Sequence, residues 1–129
     1  MTKILDELLY TKDHEWLKKI DDETALCGIT DHAQEMLTDI VFVELPILDS
    51  EVNKEDQIAV VESVKAVSDV YSPVAGKIIE VNSLLEEKPE LINSDSYGEG
   101  WIFKIKLIKL EDLDLLMDAK AYRNYVDVD

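Results

Sequence analysis

A chain of 129 residues has room for one compact domain but not for two of ordinary size, and a core of that size needs no metal or disulfide support. Its 47% hydrophobic and 33% charged residues are those of a globular protein, and no run of about 18 apolar residues is present to cross a bilayer. With 29 acidic against 13 basic side chains, the net charge of −16 repels phosphate backbones and anionic lipid, which argues against nucleic-acid and membrane-surface binding.

The opening, Met1 to Tyr10, carries Asp6 and Glu7 and lacks both the basic start and the long apolar middle of a secretory signal, so a cytoplasmic or organelle-interior location is expected, cytoplasmic first. His14 to Ile20 alternates and ends at the acidic turn Asp21-Asp22, after which Thr24 to Ile29 resumes as a second strand, predicting a hairpin. One cysteine, Cys27, excludes an internal disulfide, a paired-thiol redox motif and a multi-cysteine zinc site. Any dithiol chemistry would have to come from a cofactor.

Asp31 followed by Gln34 resembles a helix start, with Ala33, Met36, Leu37 and Ile40 on one helical face. The helix must be short, because Ile40-Val41-Phe42-Val43-Glu44-Leu45 is a run of strand formers ended by Pro46. Gln57 to Val61 and Lys77 to Val81 are strand-like and bracket Glu62-Ser63-Val64-Lys65-Ala66-Val67-Ser68-Asp69. Pro89 and Asn93-Ser94-Asp95-Ser96 mark a loop. Trp101, Phe103, Ile105 and Leu107 alternate with Ile102, Lys104 and Lys106 as in a half-exposed strand. Glu111 to Tyr122 has acids in its first turn and apolar residues at helical spacing, predicting a C-terminal helix. The elements add up to a mostly antiparallel sheet structure with one short internal helix and one C-terminal helix.

Enzyme signatures are missing. The chain has no Gly-rich phosphate loop, HExxH or GxSxG, and it has only four glycines. His14 and Glu15 adjoin in a predicted strand and point to opposite faces, and His32 and Asp31 do not share a helical face. No metal site is expected. Lys65 stands apart: it sits between Val64 and Ala66 at the tip of a predicted hairpin, with Glu62 and Asp69 as the flanking acids. A lysine with nothing to desolvate it is a poor nucleophile, so it suits attachment better than catalysis. The residues alone still favour an ordinary surface lysine.

The string Glu62-Ser63-Val64-Lys65-Ala66, with Ser68-Asp69 and Ser72-Pro73-Val74-Ala75-Gly76, resembles the lipoyl-attachment region of the glycine cleavage system H-proteins. Further matches follow in register. They are Tyr10-Thr11 with His14-Glu15-Trp16, then Gly28 to Gln34, Val41 to Pro46, Pro89 to Asn93, and Gly98 to Ile105. Biotinyl domains usually flank the modified lysine with methionines, and the lipoyl domains of 2-oxoacid dehydrogenases typically show Asp-Lys-Ala; here the neighbours are Val64 and Ala66.

The resemblance implies a mainly β fold, a flattened antiparallel β-sandwich of the barrel-sandwich, lipoyl-domain-like kind. It implies a single domain over 1–129, with a lipoyl-like core at about 24–107 and a C-terminal helix at about 111–124. It implies a non-catalytic carrier with lipoate in amide linkage on Lys65. The arm would shuttle an aminomethyl group and reducing equivalents among glycine decarboxylase (P-protein), aminomethyltransferase (T-protein) and dihydrolipoyl dehydrogenase (L-protein). Lipoyl-attaching enzymes are also implied as partners, and a monomer suffices. A cleft for the loaded arm is expected near the His-Glu-Trp strand and the short helix. Glu15, His32 and Asp69 are its candidate contacts, and for Glu15 and Asp69 solvated surface acids are an equal alternative. A relay donating its arm to apo 2-oxoacid dehydrogenase subunits would need the same lysine, and an unmodified interaction protein is a third reading.

Three positions depart from the family pattern. Thr38 stands in its usual Leu-Gly-Asp, Asp49 follows the Leu-Pro turn, and Glu55 replaces the glycine of a Lys-Gly-Asp turn. Either these residues have ordinary backbone angles or the loops are rebuilt.

Overall fold

The computed structural model describes residues 3–127. Two antiparallel sheets face each other. The larger is ordered β1-β2-β3-β9-β8-β5, from Leu9–Tyr10, Glu15–Lys19, Thr24–Ile29, Phe103–Leu107, Gly76–Val81 and Glu51–Val52. The smaller is β4-β6-β7, from Ile40–Glu44, Gln57–Ser63 and Val67–Tyr71. Alternation explains the layering: on β9, Phe103, Ile105 and Leu107 turn inward while Lys106 faces water. Leu17, Ala25, Cys27, Ala59, Val61, Val70, Ile78 and Ile105 join in one core between the sheets. The mainly β, flattened antiparallel architecture is as expected.

The predicted first hairpin is present. β2 pairs with β3, and the Asp21 carboxylate closes its turn by accepting the N–H groups of Glu23 and Thr24, both at 2.8 Å. The first helix, α1 (Asp31–Leu37), starts one residue earlier than its sequence signal suggested. Thr30 is the N-cap, its hydroxyl accepting from Ala33 N–H, while Asp31 is the first helical residue and accepts from the Gln34 amide. Ala33 and Leu37 are buried, whereas Met36 faces solvent and Ile40 belongs to β4.

Four sequence expectations need correction. His14 lies before β2 rather than within it, in a turn with φ 65°. The strand that pairs with β6 is β7, not the Lys77–Val81 run, which lies in the other sheet. The region around Pro89 is not plain loop: Leu84–Glu87 forms α2 and Leu91–Ser94 forms α3, single turns that bury Leu85 and Ile92. The helix count in the sequence reading was therefore too low.

The C-terminal helix also differs from 111–124. Leu110–Leu115 is a 3-10 helix and α4 is Ala119–Asp127. Between them Met117 exchanges two backbone hydrogen bonds with Tyr10, each 2.8 Å. That pairing holds the segment extended, and no helical periodicity can report it. Tyr10 and Tyr122 then stack with centroids 4.4 Å apart, in a second buried cluster with Leu8, Trp16 and Ala119.

Thr38, Asp49 and Glu55 all have positive φ, at 63°, 68° and 73°. Of the two alternatives, the backbone keeps the conformation that glycine favours and imposes it on three other residues.

Candidate functional site

The β6–β7 hairpin is in register as Val60↔Asp69, Val61↔Ser68 and Glu62↔Val67, leaving Val64-Lys65 at the tip between Ser63 and Ala66. Neither tip residue has positive φ, so the turn is not of the mirror-image type that best matches strand twist. Ser63 compensates. Its N–H donates to Ala66 O at 2.8 Å, and its hydroxyl oxygen accepts from Lys65 N–H at 3.3 Å and Ala66 N–H at 3.1 Å. A second brace runs from Val64 N–H to Asp39 O at 3.1 Å, tying the tip to the start of β4. The backbone beneath Lys65 is thus fixed while its side chain is exposed, and among the described residues no carboxylate pairs with it.

Beside the hairpin lies a groove of about 260 Å³. Ile29, Ala33, Leu37, Val61 and Val70 contribute apolar surface, and Asp13, His14 and Asp69 supply polar groups. Its walls come from α1 and β7. α1 is held in place by Asn93, whose amide donates to Gln34 and to Thr38 O and whose carbonyl accepts Ile40 N–H. The asparagine that read as loop composition is the pin between α1, α3 and β4.

The three candidate contacts are not brought together. Asp69 is exposed and lines the groove. His32 packs its ring on His14 with centroids 4.6 Å apart, and its Nε2 is buried without a hydrogen-bond partner among the described residues. His14 in turn has Nδ1 2.8 Å from the Tyr122 hydroxyl, which also meets Thr30 Oγ1 at 2.8 Å.

Glu15 is only 2% exposed. Its carboxylate accepts from the Thr11 hydroxyl at 2.7 Å and from Tyr71 N–H at 2.9 Å. Burial pushes its carboxyl up to about 7, against the opposing pull of those hydrogen bonds. It faces a separate cavity of about 280 Å³ with Lys12, Lys54 and Tyr71; only Asp13 lines both hollows.

Sequence reasoning missed Thr11 and Tyr71 as the partners of Glu15, and Asp13 as a residue of the groove. For Thr11 the four-residue spacing to Glu15 was a faint signal; Tyr71 and Asp13 had none. Among the described residues no cluster of metal-ligating side chains is present, and no helix is long and apolar enough to cross a membrane.

The family model described as glycine cleavage H-protein matches residues 8–129. The chain is 53% identical over 122 residues to a glycine cleavage system H protein of Cronobacter sakazakii, covering 95% of each chain. It is 56% identical over 126 residues to a probable glycine cleavage system H protein of Thermococcus gammatolerans, covering 97% of this chain and 93% of that one. The crystal structure of a glycine cleavage system H protein from Mycobacterium marinum superposes with a TM-score of 0.85 at 33% identity, over 96% of this chain and 99% of that one.

Proposed function

The chain belongs to the glycine cleavage H-protein family, the non-catalytic lipoyl carriers of the glycine cleavage system, and on that premise we propose that Lys65 is the residue that bears its lipoyl group. The observation that carries this reading is the setting of Lys65: an exposed amine, with no carboxylate partner among the described residues, on a two-residue tip whose backbone is held by Ser63 and Asp39. An acylating enzyme can reach such an amine, and no ion pair with the described residues has to be broken first.

When attached, lipoate supplies a cyclic disulfide that opens and recloses. The chain's own thiol could not do this. Cys27 is fully buried, and burial pushes it well above the ordinary thiol range, so it is inert. Lys65 serves as a tether and makes no bond to substrate. Partnership with the P-, T- and L-proteins follows from family membership, and each must gain access to the same hairpin.

The groove is where this chain would shelter the arm. Its apolar lining excludes water, and Asp69, on the hairpin's own second strand, can pair with a cationic group held there. His14 lines the groove and is tied to the Tyr122 hydroxyl, and its ring packs on that of His32 in α1. Glu15 acts one step away: with both oxygens engaged by Thr11 and Tyr71, it braces the root of the hairpin and does not meet the arm.

The test is the intact mass of protein purified from its native source. An increase of lipoyl size that disappears in Lys65→Arg supports the reading. An adduct that survives that substitution, or its absence while the attachment machinery is active, overturns it.

A further inference from the structure

The chain carries only 13 basic side chains against 29 acidic ones, yet four lysines stand together on the outer face of the larger sheet. β9 sets the pattern. Phe103, Ile105 and Leu107 point into the core, so Lys104 and Lys106 point out. Residues directly opposite on neighbouring strands share a face, and the register carries this pair sideways. One row runs Thr24, Lys106, Lys77, Glu51 across β3, β9, β8 and β5. The next runs Lys18, Leu26, Lys104, Glu80 across β2, β3, β9 and β8.

Pairing within the chain does not account for this lysine face. Lys104 Nζ is 3.1 Å from the Glu80 carboxylate. Lys18, Lys77 and Lys106 are exposed, and among the described residues none of the three forms an ion pair, Lys77 not even with Glu51 opposite it. Lys77 and Lys106 are themselves direct cross-strand partners, and like charges so placed destabilise a sheet. Solubility does not require them, because the acid excess already gives a net charge of −16.

We infer that this face docks an extended acidic segment of a partner protein. Spacing and charge both select that occupant. Lys104 and Lys106 stand at alternate positions of β9, about 6.8 Å apart, which is also the repeat of alternate side chains in an extended peptide. A single small anion would bridge only two neighbouring ammonium groups. A nucleic acid would run off the face onto the acid-rich remainder of the chain. A short segment stays on the lysines, and charges more than about 8 Å away are screened from it. The lysine face belongs to the sheet opposite the one that carries the β6–β7 hairpin. A partner held there keeps the carrier close and leaves Lys65 open, which raises the carrier's effective concentration at the enzymes it serves. That consequence rests on the reading of Lys65 given above; the docking itself does not.

The experiment titrates the full chain with a peptide of about eight residues, glutamate alternating with serine, and follows backbone amide shifts. Shifts are expected on β3, β8 and β9, with affinity falling at least about tenfold between about 0.05 M and about 0.5 M salt. Lys106→Glu should weaken binding about tenfold. Lys88→Glu makes the same charge change at the end of α2, which packs on β4 of the smaller sheet, and should leave binding unchanged. Lys106→Glu should also raise the denaturation midpoint, because it sets opposite charges across from Lys77, so lost binding cannot come from a lost fold. Lipoyl attachment to Lys65 should run at the same rate with the peptide bound. Shifts absent from this face, an equal loss in Lys88→Glu, or a midpoint that falls in Lys106→Glu overturns the docking face. Free glutamate at equal carboxylate concentration, or a short uridine RNA, binding as tightly as the peptide overturns the choice of occupant. Attachment slowed by the peptide overturns the independence of face and hairpin, whereas attachment that fails without peptide counts against the tether alone.

Discussion

The Glu15 carboxylate, on the larger sheet, accepts the backbone N–H of Tyr71 at the end of β7 on the smaller one, at 2.9 Å. One buried acid thus joins the two layers at the root of the hairpin that displays Lys65. Its other oxygen is held by Thr11, so the N-terminal turn is tied into the same joint.

That joint carries a pH signature. The folded-state pKa of Glu15 is raised from 4.5 to about 7, so the native state holds its proton more tightly than the unfolded chain does. Below about 4.5 both states are protonated and the penalty vanishes. As pH rises from there through 7, ionisation opposes folding, and stability falls by up to about 3 kcal/mol. Glu15→Gln keeps an acceptor for Tyr71 and removes the titration. Denaturant unfolding at pH 5 and pH 8 should show a smaller loss for Glu15→Gln than for wild type; equal slopes would exclude this origin.

Thr38 holds φ 63° and ψ −145°, a region that essentially only glycine occupies without strain. Thr38→Gly should relieve about 1–3 kcal/mol of strain and add about 0.5–1 kcal/mol of unfolded-state entropy, for a net gain of about 1 kcal/mol. Asp49→Gly should gain less, since Asp tolerates positive φ better. A denaturation midpoint for Thr38→Gly at or below that of wild type would show the loop is relaxed as it stands.

Gly28 lies opposite Trp16 in the β2–β3 pair, and a Cβ there would stand 2.8 Å from Trp16 Nε1. The indole is fully buried and its N–H donates to Ser96 O at 3.0 Å, so it has nowhere to move. Gly28→Ala should cost about 1–3 kcal/mol through overpacking and perturb the tryptophan near-ultraviolet signal. An unchanged midpoint would mean the ring can shift.

The Ser63 hydroxyl accepts two backbone N–H groups of the tip. Ser63→Ala should leave the fold intact at a cost of about 0.5–1 kcal/mol, because water can replace the lost acceptor at an exposed turn. The sharper readout is amide exchange: the Lys65 and Ala66 N–H groups should exchange faster, with Val61 unaffected. Unchanged exchange at both would show the turn holds without the hydroxyl.

Local pattern carried much of this protein. The inward set Phe103, Ile105 and Leu107, the Asp21 turn, the stop at Pro46 and the isolated Lys65 between small neighbours were all legible, because each depends on residues close in the chain. The missing glycines at Thr38, Asp49 and Glu55 were legible too, although the sequence left open whether the backbone would yield. It did not.

What lay beyond the sequence depends on distant segments meeting. Helical spacing over Glu111–Tyr122 is real, yet Met117 is pulled straight by Tyr10. Glu15 has the composition of a surface acid and becomes a buried strut only because Tyr71 arrives opposite it. Phe42 stands in a strand-forming run whose buried face the sequence did not specify, and the packing of two sheets leaves it outside. Residue order determined which side chains this protein can offer. Long-range burial, a sum over partners far along the chain, decided which of them face the groove, the solvent or the core.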